Sequence, residues 1–220
     1  MGVFITFEGG DGSGKSTQIR LLQSYLEDRG RDCISTREPG GTSLGRLLRG
    51  ALLESGPEAI GRPTELFLYL ADRAQHVHEV IAPGVARGQI VLCDRYADST
   101  LAYQGYGRGI DRQWLMELNE VATGHLKPDL TFLLDCPVEL ALSRTAHRKP
   151  GGRGAIVKDR LENERMEFHE KVRQGFLELA RFEPERFCVL DASLSEGEVF
   201  AIIRQIGDAT LRLTAQPMPR

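Results

Sequence analysis

The chain has 220 residues, 41% hydrophobic and 27% charged, with 28 basic and 31 acidic side chains and a net charge of −3. That composition excludes a disordered chain, a collagen-like repeat and a coiled coil, and the length suits one domain that buries its own core. The missing basic excess argues against a nucleic-acid partner, and no charge-free apolar stretch of about 18 residues predicts a membrane span.

Val3 to Phe7 is a short apolar run with β-branched and aromatic residues that stops at Glu8-Gly9-Gly10, the pattern of a buried strand. Ile19, Leu22, Tyr25 and Leu26 then recur at helical spacing over Ser16 to Arg29, with Gly30 placed as a C-cap. Cys33 to Thr36 predicts a second strand, and Leu44 to Leu53 a helix broken by Gly56-Pro57. Pro63 to about Ile81 reads as one long helix with proline at its start. Gln89 to Cys93 is a third strand ending at Asp94, Trp114 to Ala122 a helix, and Leu130 to Leu134 a fourth strand ending at Asp135. Pro137 opens another helix, and Phe187 to Leu190 is a fifth strand. Two overlapping capping boxes, Ser193-x-x-Glu196 and Ser195-x-x-Glu198, introduce a last helix from Glu196 to about Leu211. Buried strands alternating with helices predict an α/β fold with a parallel sheet covered on both faces.

Residues 1–213 read as a single domain, and the tail 214–220, with two prolines, is expected to fray. Segment 147–158 contains Arg148-Lys149-Pro150-Gly151-Gly152-Arg153-Gly154, rich in glycine and charge, and reads as a surface loop or a mobile lid. Cys33, Cys93, Cys136 and Cys188 form no C-x-x-C and no zinc spacing, so reduced thiols in a cytoplasmic protein are expected. The N-terminus lacks the charged region of a signal peptide. Arginine outnumbers lysine 23 to 5; codon bias and bidentate phosphate grips both produce such a ratio.

Gly9-Gly10-Asp11-Gly12-Ser13-Gly14-Lys15-Ser16 matches G-x-x-x-x-G-K-[ST] in full, after a predicted strand and before a predicted helix. In such a loop glycines let backbone N–H groups face phosphate oxygens, the helix start adds positive potential, and the lysine reaches the β- and γ-phosphates. Ser16 is placed for Mg²⁺, with Thr17 supporting the same region. Asp94, at the end of a buried strand, is the carboxylate expected near the metal and its waters. A guanine-reading N-K-x-D element is missing: Leu126-Lys127-Pro128-Asp129 is a turn before the fourth strand, which weakens a GTPase reading.

Two further blocks narrow the class: Thr36-Arg37-Glu38-Pro39-Gly40-Gly41-Thr42, and Asp94-Arg95-Tyr96 followed by Ser99-Thr100-Leu101-Ala102-Tyr103-Gln104-Gly105-Tyr106-Gly107-Arg108-Gly109. With the P-loop they resemble the bacterial thymidylate kinase family over nearly the whole chain. The resemblance implies a P-loop kinase fold, a five-stranded parallel sheet flanked by helices with a lid after the fourth strand. It also implies transfer of the γ-phosphoryl of ATP to dTMP in dTTP synthesis, Mg²⁺ as cofactor and a homodimer.

Residue by residue, the resemblance implies that Asp11 meets the acceptor's 3′-hydroxyl and that Glu38 lies near the acceptor and the metal waters. Arg49 and Arg95 would hold the acceptor phosphate, Arg73 the thymine carbonyl, and Ser99 and Gln104 the base, with Tyr103 beneath the sugar. The family stacks thymine on a Phe where this chain has Tyr69. Tyr69 is therefore expected to stack, and the nearby Phe67 to belong to the core. The P-loop carries Gly12 where some members have a catalytic arginine, so the chain resembles the lid-arginine design. Arg153, then Arg148, are the expected catalytic arginines beside Lys15 and Arg95, with Arg144 against adenine. Three other readings stay open at this point: a nucleotide kinase with another acceptor, a non-catalytic nucleotide-binding module, and a bare ATPase or GTPase.

Overall fold

The computed structural model describes residues 2–53, 60–146 and 160–211. The segment carrying Arg148 and Arg153, and the tail 214–220, lie outside the described residues.

The N-terminal apolar run forms β1 (Val3–Glu8), followed by α1 (Lys15–Glu27), β2 (Cys33–Arg37), α2 (Ser43–Leu53) and α3 (Arg62–His76). A π-helical turn (Val77–Ile81) leads into α4 (Ala82–Ala86) and β3 (Ile90–Asp94). Next come α5 (Ala97–Thr100), a π-helical segment (Leu101–Gly107) and α6 (Arg112–Thr123). The chain closes with β4 (Leu130–Asp135), α7 (Val138–Ala146), α8 (Met166–Phe182), β5 (Phe187–Asp191) and α9 (Glu196–Thr210). The five strands are all parallel in the order β2-β3-β1-β4-β5. This is the α/β architecture that the alternating pattern predicts.

Side chains alternate across the central strands as strand geometry requires. Ile5, Phe7, Leu92 and Phe132 pack under Ile19, Leu22 and Leu26 of α1 and Ile203 of α9. Phe4, Val91 and Cys93 face the opposite side, against Val77, Ile81 and Tyr96. Leu133 on that side meets Val172 and Phe176 of α8. Among the described residues no helix is long and apolar enough to cross a membrane, and all four cysteines are free thiols.

Several local expectations need correction. The long helix from Pro63 is not uniform: α3 is regular to His76, then widens into the π turn Val77–Ile81. Pro83 follows one turn later, and its missing N–H and bulky ring disfavour an α-helical bond to the preceding turn. Phe67 is not core; it is 52% exposed. Leu66, Leu70 and Arg73 set the inward face of α3, and Phe67 lies about a quarter turn from it. Of the two capping boxes only Ser195 and Glu198 form one. Ser193 turns back, its N–H and Oγ donating to Asp191 Oδ1 at 2.9 and 2.5 Å. The helical run 97–107 has no counterpart in the sequence reading, which expects a helical stretch on each side of 148–154 without bounding the second; it is α8.

Glu8, fully buried at the end of β1, ties the sheet to α5. Its Oε1 accepts the Tyr96 N–H at 2.7 Å and its Oε2 lies 2.6 Å from Ser99 Oγ. Burial, reinforced by the charge of Asp98, pushes its pKa up to about 8. A carboxyl that holds its proton in the fold and releases it near 4.5 when unfolded makes stability fall as pH rises from about 4.5 to about 8. Glu8→Gln, which keeps the neutral shape, is expected to flatten that decline in denaturant titrations at pH 5, 6, 7 and 8. An undiminished slope in the variant would refute the assignment.

Candidate active site

Parallel strands deliver their C-terminal ends to one edge of the sheet, where α/β proteins bind ligands. Phe7 of β1 pairs with Asp94 of β3, so the loops after these two strands emerge side by side. The first is residues 9–14. At Gly12, φ is +80° and a Cβ would stand 2.0 Å from Ala141 O, so only glycine fits against α7. That contact explains physically why no arginine occupies this position.

Lys15 folds back into the loop. Its Nζ donates to Gly9 O at 3.0 Å and Gly10 O at 2.8 Å. Burial and the neighbouring Arg95 cation lower its pKa to about 8. Ser16 Oγ donates to Asp94 Oδ2 at 2.8 Å, placing two hard oxygen donors together at the helix start. These residues border a polar cleft of about 600 Å³, large enough for a nucleotide. Thr17 and Arg144 also line it. Arg144 is held by a bond from Nη1 to Ala192 O at 2.8 Å.

A second cavity adjoins the first. It is lined by all nine residues expected around an acceptor: Asp11, Glu38, Arg49, Tyr69, Arg73, Arg95, Ser99, Tyr103 and Gln104. Arg95 Nη2 donates to Asp11 Oδ1 at 2.6 Å, and Tyr103 Oη donates to Asp11 Oδ2 at 3.1 Å. Burial works to raise the pKa of Asp11, and the charges of Arg95 and Lys15 outweigh it, holding the carboxyl well below its usual range. Arg49 Nη1 donates to Pro39 O at 2.8 Å.

Glu38 has a protein partner on each carboxylate oxygen. Its Oε2 accepts from Arg73 Nε at 2.8 Å and its Oε1 lies 3.0 Å from His76 Nδ1. His76 Nε2 is in turn 2.6 Å from Thr36 Oγ1. Arg73 also donates to Thr100 Oγ1, Asn119 Oδ1 and Tyr96 O. Of the five N–H groups of a guanidinium, four thus have partners among the described residues, and one on Nη2 is left for the cavity that Arg73 lines. The sequence reading missed the supports His76, Thr100, Asn119 and Glu8. The six-residue spacing of Lys15 from Gly9 marks a loop, but no comparable signal marks side chains that meet across 27 or more positions.

Comparison with known proteins agrees with this geometry. A family model described as thymidylate kinase matches residues 7–203. The thymidylate kinase of Desulfovibrio desulfuricans is 52% identical over 210 residues, covering 96% of this chain and 97% of the relative. That of Geotalea uraniireducens is 51% identical over 203 residues, covering 92% and 95%. The crystal structure of thymidylate kinase from Ehrlichia chaffeensis aligns with a TM-score of 0.73 at 34% identity, covering 93% of this chain and 98% of that one. A matching family model over most of the length, relatives above half identity and a common fold lead to one conclusion: the chain belongs to the thymidylate kinase family.

Proposed function

We propose that the cleft along the P-loop holds ATP and the adjoining cavity holds dTMP, so that the γ-phosphoryl group passes between them to give dTDP and ADP. The observation that carries this reading is the shared wall: Asp11, Glu38, Arg49 and Arg95 border both cavities. Charged side chains at the one place where two phosphate groups must meet are what phosphoryl transfer between anions requires.

The loop 9–14 and the start of α1 present N–H groups to the donor phosphates. Lys15 exchanges its carbonyl partners for the β- and γ-phosphates. Arg144 packs along the adenine end. Mg²⁺ fits the oxygen pair Ser16 and Asp94, since it takes few protein ligands and draws the rest from phosphate and water; bound there, it neutralises charge on the β- and γ-oxygens.

Arg95 and Arg49 hold the acceptor phosphate, Arg95 with the forked geometry that lysine lacks. Asp11 meets the sugar hydroxyl and Tyr103 lies beneath the sugar. Tyr69 stacks on the base, while Arg73, Ser99 and Gln104 contact its edge. No general base is needed, because a phosphomonoester with second pKa about 6 is already a dianion at neutral pH. Catalysis is positioning and charge stabilisation, from which water must be kept out.

By the family likeness the remaining catalytic arginine is Arg153 first and Arg148 second, both outside the described residues. The family likeness also supports a homodimer, consistent with exposed Phe67 on α3 and Val121 on α6. A cytoplasmic location fits the free thiols.

ADP release from Mg-ATP, measured with dTMP, dUMP, dCMP, dGMP, UMP and no acceptor, tests the reading. Turnover is expected to favour dTMP strongly with little hydrolysis in its absence; acceptor-independent turnover would overturn it. Arg153→Ala is expected to lower kcat by roughly 10³- to 10⁵-fold with little change in either KM. A near-normal kcat would move the role to Arg148.

A further inference from the structure

Glu65, on α3, borders neither cavity, yet it is 1% exposed. A carboxylate so deeply buried persists only when fully paired. Its Oε1 accepts from Gln104 Nε2 at 2.9 Å and from Arg108 Nε at 3.3 Å. Its Oε2 accepts from Arg108 Nη2 at 3.2 Å and from Arg160 Nη2. The two arginines are themselves anchored. Arg108 Nη1 donates to Glu164 Oε1 at 2.6 Å, and Arg160 Nε donates to Leu52 O at 3.1 Å. Burial pushes the pKa of Glu65 up, but the bonds from Gln104, Arg108 and Arg160 outweigh it and hold the carboxyl below its ordinary range. It is ionised at neutral pH.

An ionised carboxylate can only accept, so the Gln104 amide must turn its NH₂ toward Glu65. Its carbonyl oxygen, on the other branch of the same trigonal carbon, is directed away. Gln104 is 1% exposed and lines the acceptor cavity beside Tyr69 and Arg73. An unrestrained amide flips and serves donor and acceptor partners alike; this one has its orientation fixed from behind.

We propose that Glu65 is a specificity-determining positioning residue: by fixing the Gln104 amide it makes the cavity offer an acceptor, which selects a pyrimidine whose N3 carries a hydrogen over one whose N3 carries a lone pair. The proposal rests on the reading that this cavity holds the acceptor base. It adds the origin of the choice between thymine and cytosine rings, which lies one residue behind the contact. Arg108 and Arg160 take part by keeping Glu65 charged.

The test is the ratio of Kd values for dCMP and dTMP, from competition titration, in the wild type, Glu65→Gln, Gln104→Ala and the double variant. A neutral residue 65 can donate as well as accept, which frees Gln104 to flip. Glu65→Gln is expected to lower the ratio by roughly tenfold, the effect of one hydrogen bond, with ATP affinity unchanged. In the Gln104→Ala background the same substitution is expected to change the ratio by less than about twofold. Equal weakening of both nucleotides by Glu65→Gln, or an effect that persists without Gln104, would overturn the proposal and leave the site reading intact. An unchanged ratio in Gln104→Ala would instead overturn the placing of the base, and the proposal with it. If Glu65→Gln fails to fold, Glu65→Asp decides the matter. It keeps the charge opposite both arginines but withdraws the carboxylate from the amide, so it is expected to lose part of the same discrimination; full retention would refute the role.

Discussion

Arg95 occupies the left-handed region, at φ +71°, immediately after β3. For a residue with a side chain this conformation costs about 1–2 kcal/mol, and the surroundings show what holds it. Its backbone N–H donates to Phe7 O at 3.0 Å, and the next N–H, of Tyr96, is taken by Glu8. The chain is thereby turned so that the guanidinium runs back across the P-loop. There it meets Gly9 O at 3.0 Å and Asp11 Oδ1 at 2.6 Å, and lies 4.9 Å from the Tyr103 ring centroid. One strained residue thus joins the donor loop, the acceptor cavity and the end of the sheet.

The electrostatics follow from that placement. Lys15 and Arg95 are two cations close together, and without ligand the protein offsets them with its own groups: loop carbonyls for Lys15, Asp11 for Arg95. In the proposed function, phosphates entering from either side would supply the same negative charge in another form. Strong preorganisation of this kind avoids rearrangement at the moment of transfer. On the acceptor side the design is different. Arg73, Glu38, His76 and Thr36 form a buried chain of polar contacts, and Glu65 with its arginines forms another. Both sit behind the cavity and orient the groups that face it.

The sequence made the fold legible because each strand is a short apolar run and the helices keep their period. It made the donor loop legible because the P-loop residues are contiguous, and their chemistry depends on spacing alone. Likeness to a family supplied the acceptor residues, and the structure gathers all nine of them in one cavity. The supports were not legible. Glu65 lies 39 positions from Gln104 and 95 from Arg160, and no local pattern links a buried glutamate to partners at such separations. The π-helical segments escaped for a related reason, since they preserve helical composition while shifting its phase. Phe67 was misplaced because an apolar residue next to the inward face of a helix is taken for core unless the phase is fixed by its neighbours.

In the proposed function Arg95 grips the acceptor through its forked geometry and not merely through its charge. Arg95→Lys tests it cleanly, because lysine meets the same left-handed backbone and keeps the cation. With this substitution kcat/KM for dTMP at saturating ATP is expected to fall by about tenfold to a hundredfold, the effect of losing hydrogen bonds to a charged group, while KM for ATP shifts by less than about threefold. Retention of kcat/KM for dTMP, or an equal loss on both substrates, would show that Arg95 acts through charge alone or not at the acceptor.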